Sequence, residues 1–174
     1  QLEYLHLLDL RLQGSDWPFL GDFSKLRKLK SLKIMSDNGL PILNNLSSCQ
    51  YLNDFGIFYR HGDLMDIVDF VEIGEIGELK RISTLRLGFD GYDFPDPSLF
   101  KNFTSLERVI LCTTSKHFVC SSRDLFALTD LKNLKELVIN VPLISEELNR
   151  VAKSFEIHTG IKVVINKGWK LIMW

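Results

Sequence analysis

The chain has 174 residues, 45% of them apolar and 25% charged, which suits one globular domain. Its 21 basic and 22 acidic residues nearly cancel, which weighs against nucleic acid or an anionic membrane as partner. No apolar run reaches the roughly 18 residues of a membrane span, and the start at Gln1 rather than Met leads us to expect a fragment of a longer multidomain protein.

Taken in chain order, one apolar pattern returns seven times. It steps by three and then by two. The copies are Leu2, Leu5, Leu8, Leu10; Leu26, Leu29, Leu32, Ile34; Cys49, Leu52, Phe55, Ile57; and Leu79, Ile82, Leu85, Leu87. They continue as Phe103, Leu106, Val109, Leu111; Leu131, Leu134, Leu137, Ile139; and a weaker Ile157, Gly160, Val163, Ile165. The last positions, 10, 34, 57, 87, 111, 139 and 165, are spaced by 24, 23, 30, 24, 28 and 26 residues. The final step of two predicts a short strand with both apolar side chains on one face. The earlier steps of three predict a turn or helix end descending into the same core. Such a unit cannot bury its apolar face alone, whereas stacked copies can.

Between the strands, DLMDIVDFVEIGEIGELKR from Asp63 has helical apolar spacing. SEELNRVAKSFEIHTG has a capping serine at Ser145, acids in its first turn and Gly160 at its end. Asp16-Trp17-Pro18 and Asp96-Pro97-Ser98 read as helix or turn starts.

Segments such as LRKLKSLKI, LKRISTLRL, FTSLERVIL and LKNLKELVI resemble the leucine-rich repeat family over nearly the whole chain. The resemblance implies an α/β leucine-rich repeat solenoid, a horseshoe of about seven repeats. It would form a single domain over residues 1–174, with a concave parallel sheet and convex helices and turns. The residues three past the last strand position are Gln13, Asp37, Arg60, Asp90, Thr114, Pro142 and Gly168, and none is the Asn that regular members place there. The amide ladder of regular repeats is therefore expected to be missing or patched. Irregular repeats of this kind resemble those of intracellular receptors and F-box proteins. IGEIGELKRISTLRL, from Ile73, resembles the wording common in plant nucleotide-binding leucine-rich repeat immune receptors. No G-x-x-x-x-G-K-[S/T] phosphate loop occurs in this chain.

No catalytic or metal constellation emerges from the sequence. Cys112, His117 and Cys120 form C-x4-H-x2-C but lack a fourth ligand, and Cys49 occupies a core position. Cys112 and Cys120 read as a strand-end thiol and a loop thiol. Asp90, Asp93 and Asp96 lack EF-hand spacing and read as a polar turn. Gly74-x-x-Gly77 has neither a preceding strand nor a lysine to cradle phosphate. The four histidines, His6, His61, His117 and His158, stand in no nucleophile–base arrangement that sequence can defend. Three cysteines give no disulfide framework and suit a reducing compartment. We expect a non-enzyme with no cofactor and no metal.

Strand alternation places the remaining side chains on the concave face. Its candidate binding residues are Asp9, Arg11, Lys33, Met35, Phe58, Arg86, Arg108, Ile110, Glu136, Val138, Lys162 and Val164. Ile110, Val138 and Val164 form an aliphatic patch that either binds a partner or reflects β-propensity. Alternatively the tail GWKLIMW, Gly168 to Trp174, folds over it or caps the last repeat. The register predicts that Arg86→Glu and Val138→Asp weaken binding while the fold survives, and that Leu137→Ala unfolds it.

The expected function is non-catalytic binding of another protein, whether effector, substrate or neighbouring domain, with no nucleic acid and no membrane. The resemblance implies a cytoplasmic recognition or autoinhibitory module of an innate immune receptor in plant defense. Two alternatives stand beside it. One is the substrate arm of an F-box ubiquitin ligase adaptor. The other is an extracellular receptor or adhesion ectodomain, which the sequons Asn45-Leu-Ser and Asn102-Phe-Thr permit.

Overall fold

A computed structural model describes residues 2–10, 19–36, 42–59, 81–91, 93–100 and 103–168. The expected helix from Asp63, the Gly74/Gly77 pair, Asp16-Trp17-Pro18 and the tail from Trp169 lie outside these residues. The strands are β1 (Tyr4–Leu10), β2 (Phe19–Asp22), β3 (Ser31–Ser36), β4 (Ile42–Asn44) and β5 (Asp54–Tyr59). They are followed by β6 (Thr84–Phe89), β7 (Arg108–Thr113), β8 (Glu136–Val141) and β9 (Lys162–Lys167). The fold is α/β. One seven-stranded, all-parallel sheet runs in the order β1-β3-β5-β6-β7-β8-β9, and β2 pairs with β4 in a small parallel sheet of its own. Parallel neighbours cannot be joined by a tight hairpin and need a crossover connection.

The step of three in the sequence has a backbone cause. Before β3, Leu26 N donates to Phe23 O and Leu29 N to Leu26 O. The same double turn recurs through Leu46, Cys49 and Leu52, through Phe100, Phe103 and Leu106, and through Leu128, Leu131 and Leu134. Bonds of the i to i+3 type give about three residues per turn, so every third side chain falls on one line. That line meets the core, where Leu29, Leu52, Leu106 and Leu134 are buried. The chain then straightens and the period becomes two. Leu32 and Ile34, Phe55 and Ile57, Leu85 and Leu87, Val109 and Leu111, and Leu137 and Ile139 all enter the same apolar cluster. Val163 and Ile165 of the edge strand β9 pack against it while remaining partly exposed. Full burial of one such side chain contributes about 1.5–3 kcal/mol.

Strand starts are tied by a second recurring device, in which one carbonyl accepts two successive N–H groups from the next strand. Glu3 O accepts from Lys30 and Ser31, Lys30 O from Asn53 and Asp54, and Asn53 O from Ser83 and Thr84. Ser83 O and Glu107 O continue the series.

This ladder corrects the first repeat. Leu5 pairs with Leu32 and Leu7 with Ile34, so Leu5 and Leu7, rather than Leu8 and Leu10, stand in register with the core positions Leu32 and Ile34 of β3, while Leu10 pairs with Ser36 beyond a register shift. Taking Leu7 as the last position makes the first spacing 27 residues. The register shifts between Leu7 and Leu10. The sequence LEYLHLLDL satisfies the apolar pattern in either frame, and only pairing with β3 chooses between them.

Two helices belong to the last third of the chain. Ser122–Phe126 is short, and Ser121 and Asp124 form a reciprocal capping box at its start. Glu146–Thr159 is capped by Ser145, whose hydroxyl accepts from Leu148 N. It stops at Gly160, where φ of 74° suits glycine. Leu148, Val151, Ala152 and Phe155 form its buried face, and Phe126 meets Phe155 edge-on at 5.5 Å. Asp96-Pro97-Ser98 leads into a 3-10 turn at Pro97–Phe100, as expected. Cys120 lies in a loop but departs from the expectation that this loop is exposed, because its side chain is buried in the core with Phe118. No helix among the described residues is long and apolar enough to cross a membrane.

Candidate functional site

The sheet face turned away from the core carries three rows of side chains. The first row crosses the strand starts through Tyr4, Ser31, Asp54, Thr84, Arg108, Glu136 and Lys162. The second runs through Lys33, Gly56, Arg86, Ile110, Val138 and Val164, with His6 paired to Lys33 in register. The third contains Met35, Phe58, Gly88, Cys112, Asn140 and Asn166. Lys33, Met35, Phe58, Arg86, Arg108, Ile110, Glu136, Val138, Lys162 and Val164 therefore share one face, as alternation predicts.

Asp9 has no paired place in these rows. The first-row and second-row places in β1 belong to Tyr4 and His6, and Asp9 falls where the register shifts. Arg11 lies outside the described residues. Tyr4, 60% exposed, is a first-row residue that the sequence reading missed. Its one available signal was that the L-x-L frame also fits Leu5 and Leu7.

Burial sorts the rows. Ile110 is 0% exposed and Val138 3%, although neither belongs to the main core cluster. Met35 and Phe58 form a separate small cluster with Cys112 packed against it. The second and third rows are thus largely closed across β3 to β8, rather than presenting an open aliphatic patch. The first row is where the face opens, with the Arg108 and Lys162 side chains 42% and 64% exposed.

Charge on this face is organised around two carboxylates. Asp54 receives Arg86 Nε at 2.8 Å and Nη2 at 3.3 Å, lies 3.8 Å from Lys33 Nζ, and accepts from Ser31 Oγ at 3.3 Å. Gly56 sits between the stems of Lys33 and Arg86, and a β-carbon there would stand 3.3 Å from Lys33 Cγ. Burial pushes the Lys33 ammonium below the usual lysine range; Asp54 opposes the shift and Arg86 adds to it.

Glu136 repeats the arrangement three strands on. Lys162 Nζ donates to Oε1 at 2.9 Å, and Arg108 Nε stands 2.6 Å from Oε2. The Arg108 contact meets an ion-pair distance but not hydrogen-bond direction. The hydrogen bond from Lys162, with the charge of Arg108 behind it, holds the Glu136 carboxyl below the usual carboxylate range.

In the third row Asn166 Nδ2 donates to Asn140 Oδ1 at 2.9 Å, and Asn140 Nδ2 reaches Cys112 Sγ at 3.2 Å. Burial raises the Cys112 thiol above its ordinary range, opposed by that amide. An amide is not a base, so this contact does not prepare a nucleophile.

Elsewhere, a cavity of about 340 Å³ is lined by Asp96, Arg123, Asp124 and Asp130 among others. Asp124 is already engaged in capping Ser121. Among the described residues, no group of three or more His, Cys, Asp or Glu side chains is placed to hold a metal ion. The polar groups that the geometry brings together best are the ion pairs and hydrogen bonds of the outer sheet face.

Compared with known proteins, the chain matches no family model, no curated sequence and no solved structure.

Proposed function

We propose that this chain is a leucine-rich repeat solenoid of about seven repeats whose work is to bind another protein without catalysis. The observation that carries the reading is the recurrence of one unit. A double i to i+3 turn that delivers a leucine-type side chain to the core precedes four strands, β3, β5, β7 and β8, and seven strands lie side by side in chain order. The described turns before β3, β5, β7 and β8 and the helix Glu146–Thr159 pack on the core side of the sheet, opposite the outer face. On that face the first row is mostly polar and charged, and it is accessible at Tyr4, Arg108 and Lys162.

The resemblance of Ile73–Leu87 to plant immune receptors supports the narrower reading of a cytoplasmic recognition or autoinhibitory module. In that role the partner is a pathogen effector or a neighbouring domain of the receptor.

The experiment is site-specific photo-crosslinking in the cell that makes the protein. A crosslinker at Thr84, in the first row, is expected to capture a discrete protein. One at Lys153, exposed on the helix Glu146–Thr159, is not. Equal capture at both positions, or at neither, overturns the reading.

A further inference from the structure

The outer face holds two charge groups of one design, Lys33–Asp54–Arg86 and Arg108–Glu136–Lys162, each an acid between two bases. These six side chains sum to +2 in a chain whose formal net charge is −1. Their surroundings separate them. Asp54 also binds Ser31, and Lys33 and Arg86 are mostly buried over Gly56, so the first group is consumed within the fold. The second group is open, and its carboxylate sits lower than its cations: Glu136 is 21% exposed, well below both partners.

Donor arithmetic then favours an anion. A guanidinium and an ammonium offer eight N–H donors together, while one carboxylate accepts at about four sites. The outward surface of this group is therefore cationic and rich in donors. Arg108 and Lys162 lie two strands apart, about 10 Å, which an extended chain spans in three residues. Two open cations are far fewer than the about 6–10 phosphate contacts of a nucleic-acid binder.

We infer that the Arg108–Glu136–Lys162 row is a docking subsite for an acidic segment of the partner protein, carrying carboxylates about three residues apart. The inference rests on the protein-binding reading and names the chemistry of what is bound.

The test is fluorescence anisotropy of a labelled oligoglutamate peptide with the full chain. Binding is expected to weaken at high salt. The double variant Arg108→Glu, Lys162→Glu should bind about tenfold more weakly, and Glu136→Gln should bind more tightly. A control reversal on the long helix, Arg150→Glu with Lys153→Glu, should leave binding unchanged. Unfolding midpoints measured alongside separate lost binding from lost structure. Unchanged binding by the first double variant overturns the inference, as does equal weakening by the control. If the protein captured from Thr84 is still captured by the Arg108→Glu, Lys162→Glu variant, the acidic subsite fails while the protein-binding reading stands.

Discussion

The ring of Phe58 lies across Gly88 of the neighbouring strand so closely that no β-carbon fits between them. This contact belongs to the outer face, and it lets an aromatic ring and Met35 bury themselves on the side of the sheet away from the main core. Gly88→Ala is expected to destabilise the fold by about 1–3 kcal/mol through overpacking. The cost should shrink in a Phe58→Ala background, since the two changes share one contact. Urea unfolding of the four-member cycle checks this, and wild-type stability for Gly88→Ala alone would refute the interlock.

Leu137 and Val138 are neighbours on opposite faces of β8, and both are buried. Leu137→Ala should cost about 2–5 kcal/mol from lost burial and a residual cavity. The sequence expectation that Val138→Asp spares the fold changes with the structure, because an aspartate there would place a carboxylate in a closed site. Thermal unfolding of both variants should show large losses. A Val138→Asp protein as stable as the wild type would mean that the second row is open.

Glu136 links stability to pH. Its carboxyl titrates below the usual value in the folded protein because Lys162 donates to it and Arg108 stands beside it. The unfolded chain therefore takes up this proton first as pH falls. The stabilisation is fully present above the ordinary glutamate value of 4.5 and is lost as pH drops through the lower folded value. Denaturant unfolding just above and below that window should show a smaller acid-side loss for Glu136→Gln than for the wild type. Equal losses would show that the pair contributes nothing to folding.

The three thiols, Cys49, Cys112 and Cys120, are unbonded and shielded. Burial raises all three, and that of Cys120 is pushed up to about 12 by burial and by the charge of Asp124. Thiolate is the reactive form. A colorimetric thiol reagent at neutral pH should react slowly with the native protein and titrate three thiols after denaturation. Fast native reaction would show that one of them is open.

Much of the sheet was legible because strand alternation and repeat spacing are local. From β3 onward the expected strand residues, from Leu32 and Ile34 to Val163 and Ile165, fall on the core side in the expected register, whereas Ile157 of the last copy is 71% exposed on the long helix instead of joining the core. The helix at Glu146 was equally legible from Ser145, its acids and Gly160. The capping box at Ser121 and Asp124 was present in the sequence as S-x-x-D and went unread. The first repeat misled because its leucines are too many: Leu5, Leu7, Leu8 and Leu10 satisfy two frames, and hydrogen bonding to β3 selects one.

The sequence alone determined which residues share a face, because alternation in a strand and the three-residue turn are properties of the local backbone. Tertiary structure decided which of those residues a partner can reach. Arg86 and Arg108 read alike as letters, yet one closes over Asp54 and Gly56 while the other stands open beside Glu136. Exposure depends on what neighbouring strands place alongside, and that is settled only when residues about 23 to 30 positions apart in the chain are brought together.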